Sequence, residues 1–150
     1  MTRAEKAKGY FEKGYACSQA VAMAFADLTD LTEEQLGKLT LPFGGGLGRQ
    51  RLTCGAVSGM AVIAGLLFAK ADADSENKRG MYEITRELCG KFVEENGSLI
   101  CEDLLKGSSL SAEKGGAPEA RTDAYYKKRP CGELVFTAAQ ILENYMNIKG

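Results

Sequence analysis

Residues 52–69 (LTCGAVSGMAVIAGLLFA) run for eighteen positions without a charged side chain, between Arg51 and Lys70. A surface helix cannot carry such a run, because a helix that is apolar all round has no face to turn to water. The segment must therefore be enclosed, by lipid or by the rest of the chain. It contains Thr53, Ser58, Gly55, Gly59 and Gly65, and it falls short of the roughly 20 mostly apolar residues that a membrane span needs. The expectation is a buried central helix over about residues 54–68, capped by Thr53, and no membrane span.

The remaining sequence supplies helices to enclose it. Residues 4–13 read as a short polar helix ending at Gly14. Residues 17–28 are apolar at Ala20, Val21, Ala24, Phe25 and Leu28, which is helical spacing. Thr32 and Gln35 form a capping-box pattern for a helix over 33–39, stopped near Pro42. Residues 75–96 form a long amphipathic helix, with Met81, Ile84, Leu88, Cys89, Phe92 and Val93 inward and Gly97 as terminator. Residues 100–105 give one or two turns. Pro130 opens a last helix over 131–148, lined by Val135, Ala138, Ile141, Leu142 and Tyr145. Residues 107–118, rich in Ser, Gly and Ala, are read as a mobile linker. No window alternates with period two, and there is no internal repeat. The fold class is all-α: a compact single-domain bundle of five to seven helices. A length of 150 residues, with 45% hydrophobic and 26% charged, suits one globular domain.

Charge and composition exclude several functions. Nineteen basic and twenty acidic side chains leave a net charge of −1, which gives no whole-chain support for nucleic-acid binding. Histidine is absent. That removes Ser-His-Asp and Cys-His nucleophile pairs, histidine general bases and every histidine-containing metal site. The first fifteen residues are polar and lysine-rich, unlike a signal peptide. A reducing, cytoplasmic setting is expected, where cysteines are more often catalytic, redox-sensing or metal-bound than disulfide-bonded.

Five cysteines are the functional lead. Cys17, Cys54, Cys101 and Cys131 each fall at the expected start of a helix. Unpaired N–H groups and partial positive charge there favour a thiolate, and cysteine pKa values at such sites fall from about 8.5 toward ~3.5–7.5. Arg49 and Arg51 precede Cys54, while Lys127, Lys128 and Arg129 precede Cys131. Taken singly, each cysteine is also acceptable as a small core hydrophobe. Cys89, mid-helix beside Leu88, Phe92 and Val93, reads as packing. The glycine run 44–48 fails as a P-loop, because Gly48-Arg49-Gln50 stands where Gly-Lys-Ser/Thr is required. It also fails as a dinucleotide fingerprint. Two readings of it stay open: an anion site at a helix start, or a tight backbone approach near Cys54. Gly55 and Gly59 lie four apart on one helix face and would let a neighbouring helix start, with its own cysteine, come close to Cys54.

These residues carry a resemblance. Tyr15-Ala16-Cys17-Ser18-Gln19-Ala20-Val21, Phe43-Gly44-Gly45-Gly46, Cys54-Gly55-Ala56-Val57-Ser58-Gly59, Ser98-Leu99-Ile100-Cys101 and Pro130-Cys131 resemble a family of small bacterial and archaeal proteins described as redox-active, with four shared cysteines and a CGAxxG motif (the C_GCAxxG_C_C type). The resemblance runs over about residues 14–142. It implies that Cys17, Cys54, Cys101 and Cys131 are the family's four, that Cys89 is additional, and that the genes often accompany transporter genes.

Three functions follow as expectations. In thiol–disulfide exchange, Cys54 attacks and a distant cysteine, first Cys17, resolves, since no CxxC pair exists. Alternatively, Cys17, Cys54, Cys101 and Cys131 hold zinc or an iron–sulfur cluster, although their separations of 37, 47 and 30 positions are unusual for such sites. The third is a non-catalytic helical module, including a homo-oligomer packed through the glycine face. The redox partner is not identified by the sequence. Tyr15 and Glu102 are generic candidates for proton transfer, and the stretch 107–126 is a candidate lid over the thiols.

Overall fold

The computed structural model describes residues 1–107 and 112–149; residues 108–111, inside the segment read as a mobile linker, and residue 150 lie outside the described residues. Eight α-helices are present among the described residues: α1 (Arg3–Glu12), α2 (Cys17–Met23), α3 (Glu33–Thr40), α4 (Gly55–Phe68), α5 (Ser75–Asn96), α6 (Cys101–Gly107), α7 (Asp123–Lys128) and α8 (Cys131–Lys149). The chain is an all-α single domain. Its sole β feature among the described residues is an isolated antiparallel bridge between Thr53 and Ile100.

Seven helices follow the sequence pattern. The eighth, α7, has a local signal that periodicity does not reveal: Thr122 Oγ1 accepts from the Tyr125 amide at 3.2 Å, Asp123 sits in the first turn, and Lys127 and Lys128 sit in the last. Capping boxes start α1 and α3. Thr2 accepts from Glu5 N–H at 3.1 Å, and Thr32 and Gln35 exchange bonds at 3.1 and 2.9 Å. Helix α2 is shorter than the expected 17–28. It stops at Met23, and a 3₁₀ turn, Ala26–Leu28, follows. The reason lies in Arg3, which donates to the Ala24 carbonyl at 2.8 Å and to Asp27 at 2.6 and 2.9 Å, satisfying the helix end. Its guanidinium also lies 5.3 Å over the ring of fully buried Phe25.

Helix α2 is the hub. Ser18, Ala20, Val21, Ala22 and Met23 are all buried, with α1, α3, α4 and α8 packed around them. Glycine permits the closest of these contacts. A Cβ on Gly59 would lie 2.6 Å from the Ser18 carbonyl oxygen, and one on Gly55 would lie 2.5 Å from Cys17 Sγ. The glycine face of α4 thus meets the helix that starts with Cys17.

The uncharged run is enclosed mainly through its first half. Gly55, Ala56, Val57, Gly59, Met60, Ile63 and Ala64 are buried, whereas Leu66 near the end is exposed. At 1.5 Å per residue, α4 is roughly 21 Å long, less than the ~30 Å hydrocarbon core of a bilayer. No helix among the described residues is long and apolar enough to cross a membrane. Helix α5 lies on the surface. Leu88 and Phe92 are its buried residues, Met81, Ile84 and Cys89 pack against the core from partial exposure, and Val93, expected inward, is exposed. On α8, the expected face of Val135, Ala138, Ile141, Leu142 and Tyr145 is buried throughout.

Candidate functional site

The chain between α3 and α4 decides where the thiols meet. After a 3₁₀ turn, Leu41–Phe43, residues 45–49 take positive φ in succession: Gly45 (65°), Gly46 (72°), Leu47 (68°), Gly48 (59°) and Arg49 (63°), with Arg51 at 62° soon after. This is a left-handed turn rather than an open loop. Gly46 is obligatory in it, since a Cβ there would lie 2.5 Å from the Leu52 amide nitrogen. The non-glycine positions each hold a backbone conformation that costs about 1–2 kcal/mol. The turn closes through Arg51 N–H to Gly45 O at 3.0 Å and Leu52 N–H to Gly46 O at 2.9 Å.

Leaving the turn, residues 51–54 run alongside 99–102. Cys54 N–H bonds Leu99 O at 2.7 Å, Cys101 N–H bonds Leu52 O at 2.6 Å, and Glu102 N–H bonds Arg51 O at 3.2 Å. This pairing places the cysteine at the start of α4 beside the cysteine at the start of α6. It also corrects the expected cap: Thr53 is committed to the bridge, and Cys54 itself takes the N-cap position of α4.

Cys17, Cys54, Cys101 and Cys131 all line one cavity of about 430 Å³. All are free thiols. Cys131 enters from α8, whose first turn is anchored by Glu133 and Leu134 N–H groups on the Pro130 carbonyl at 3.0 Å. The sulfurs sense one another: Cys101 acts electrostatically on Cys17, Cys17 and Cys131 act on Cys54, and Cys17 and Cys101 act on Cys131. Cys89 is not among the lining residues. It packs against the core on α5.

Cys17, Cys54 and Cys131 are not poised as helix-terminal thiolates. Burial pushes Cys17 up, opposed by the Gly45 N–H that donates to it. Burial raises Cys54 well above the ordinary range, although the Ala56 and Val57 amides of α4 do point at its sulfur. Cys131 is raised to about 12, again chiefly by burial. The expected effect of exposed amides is present, and desolvation outweighs it. Cys54 is also only 4% exposed, which argues against its expected role of meeting a substrate first. A cation reaches Cys101 instead, as Arg51 Nη1 donates to its Sγ at 3.6 Å.

Sequence reasoning missed the opposite wall. Arg121 donates to the Phe11 and Tyr15 carbonyls at 3.0 Å each and lies over the rings of Phe11 (4.4 Å) and Tyr125 (4.9 Å). Tyr125 is half-buried beside Cys131 and Cys17, and its hydroxyl is pushed up to about 12, mainly by burial. No motif marks these residues. Their signal is the clustering of Arg, Tyr and Lys over 121–129 in an otherwise ordinary stretch. Gly116, Pro118 and Glu119 also line the cavity, and Gly115 N–H bonds the Arg49 carbonyl at 3.0 Å, so residues 115–119 form part of the cavity wall. Of the expected helpers, Tyr15 contributes its carbonyl, while Glu102 pairs with Lys106 and Lys114, which hold its carboxylate below the usual range. Among the described residues, no three Cys, Asp or Glu groups are gathered closely enough to hold a metal ion.

Residues 15–145 match the model of the C_GCAxxG_C_C family, described as putative redox-active protein. The chain belongs to this family. No curated protein and no solved structure matches it. In this C_GCAxxG_C_C protein, the run Cys54-Gly55-Ala56-Val57-Ser58-Gly59 has a structural meaning: its cysteine faces the cavity, and its two glycines admit Cys17 and the Ser18 backbone.

Proposed function

We propose that the cavity performs thiol–disulfide exchange with a small disulfide, Cys101 attacking and Cys17 resolving. The observation that carries this reading is the convergence of four free cysteines, from four helix starts, on one cavity. Cys101, partly exposed as Cys17 and Cys131 also are, is the entry thiol because it has the Arg51 guanidinium in reach of its sulfur. Attack by its thiolate breaks the substrate S–S bond, forms a mixed disulfide and releases one thiolate. Cys17 then attacks the Cys101 sulfur, forms the internal disulfide and expels the second thiolate. Two protein thiols lose two electrons, the substrate disulfide gains them, and the two thiol protons end on the two released thiols. Buried Cys54 and partly exposed Cys131 are left as two further thiols of the same cavity. A cytoplasmic setting, in which free thiols are the resting form, suits this chemistry.

The test is to oxidise the reduced protein with one equivalent of a small disulfide and map the products by mass spectrometry of peptides. An intramolecular Cys17–Cys101 disulfide is expected first, with Cys89 still free. Retention of five free thiols under these conditions, or oxidation only between molecules, would refute the reading.

A further inference from the structure

Four guanidinium groups, of Arg49, Arg51, Arg121 and Arg129, line the thiol cavity, and Glu119 is the one carboxylate among the lining residues. Glu119 is taken by Arg129 at 3.5 Å. Arg121 spends donors on two backbone carbonyls and stacks on aromatic rings. Arg49 and Arg51 differ from these. Arg51 is 6% exposed. Its Nε donates to the Glu113 carbonyl at 2.9 Å, and its Nη1 to Cys101 Sγ at 3.6 Å. Arg49 Nη2 reaches the same carbonyl at 3.5 Å, while its Nε is buried with no hydrogen-bond partner. Among the described residues, neither has a carboxylate within ion-pair distance.

A buried guanidinium with only neutral partners is costly, and an orphaned buried donor adds to that cost. Both arginines also hold positive φ, a conformation glycine would adopt without strain. The chain therefore maintains two strained cations without carboxylate partners in a cavity of small-molecule size, one of them, Arg51, in contact with the Cys101 sulfur. We infer that Arg49 and Arg51 form an anion-recognition subsite, which seats the carboxylate of a small anionic disulfide next to Cys101. This rests on the thiol–disulfide reading and names its substrate class. The guanidinium fork suits a carboxylate in bidentate geometry, and seating it there brings the S–S bond of a short-chain substrate to the Cys101 sulfur. The chemical step is the exchange already described, with two electrons passing to the substrate.

Two measurements test it. The first compares the rates at which the reduced protein reacts with three aliphatic disulfides of different charge: 3,3′-dithiodipropionate, 2-hydroxyethyl disulfide and cystamine. The dianion should react about tenfold or more faster than the neutral compound, with the dication slowest, because a charge-assisted contact is stronger than a neutral one. Arg49→Gln and added salt should each shrink that ratio toward one. The second titrates the reduced protein with suberate, in which two methylenes replace the sulfurs, so that binding is read without any redox step. Saturable binding that Arg49→Gln weakens severalfold supports the subsite, and the same variant's helical circular dichroism checks its fold. Equal rates for the three disulfides, or no saturable suberate binding, overturn the inference while leaving thiol exchange intact. Suberate binding with no reaction toward any disulfide keeps the anion site and sinks the exchange reading instead.

Discussion

Helices α4 and α5 each carry glycines and a cysteine, at the N-cap of α4 and inside α5, and they use them in opposite ways. On α4, Gly55 and Gly59 are pressed against Cys17 Sγ and the Ser18 carbonyl, and Cys54 faces the cavity. On α5, Gly80 and Gly90 have nothing within 4 Å of where a Cβ would stand, and Cys89 is pushed up by burial alone, with no other sulfur acting on it. The same residue types are a docking face in one helix and replaceable surface in the other. What separates them is the element opposite: α2 lies against α4 with its own cysteine at the contact, whereas α5 covers the bundle from outside.

The sharpest way to break this contrast is by cysteine replacement. Cys17→Ser should abolish the intramolecular disulfide formed on stoichiometric oxidation, while Cys89→Ser should leave its yield unchanged. Peptide mapping reads both, and an equal loss in the two variants would erase the distinction. Glycine replacement comes next. Gly59→Ala drives a methyl into backbone and should destabilise by about 1–3 kcal/mol or more, seen as a lower urea midpoint. A midpoint within error of wild type would mean that α2 and α4 can move apart freely.

A third measurement uses pH. Cys131 has a folded-state value of about 12 against an ordinary 9.0. Between those values the unfolded chain has lost the proton that the folded chain keeps, so raising pH favours unfolding. The contribution is intact below pH 9 and disappears between 9 and about 12. Urea midpoints of the fully reduced protein should therefore fall over that window, and Cys131→Ser should flatten part of the decline. The smallest effect belongs to α5: Gly90→Ala fills open space on an exposed helix and should raise stability by about 0.4–1 kcal/mol. A destabilisation there would show that α5 has a partner pressed against its outer face.

Much of this was legible from local chemistry. The capping box at Thr32, the terminator at Gly97 and the buried face of α8 depend on residues within one or two turns of each other, and each appears as read. So does the close approach at Gly55 and Gly59, because a glycine pair within a buried helix has few other reasons to exist. The left-handed turn was hidden by Leu47, Arg49 and Arg51, which do not advertise positive φ. The thiol energetics were also misread. Helix amides do reach Cys54, but how much water is excluded there depends on α1, α2, α8 and the 112–122 segment together.

From its amino acids alone, this chain fixed a histidine-free helical bundle with four cysteines set at helix starts, because periodicity, caps and composition act over short range. Tertiary structure decided that those four starts face a single cavity, that burial pushes the Cys17, Cys54 and Cys131 thiols up, and that four distant guanidiniums line the space around them. Convergence and desolvation are properties of segments far apart in sequence, and they arise only when the starts of α2, α4, α6 and α8 are brought around one space.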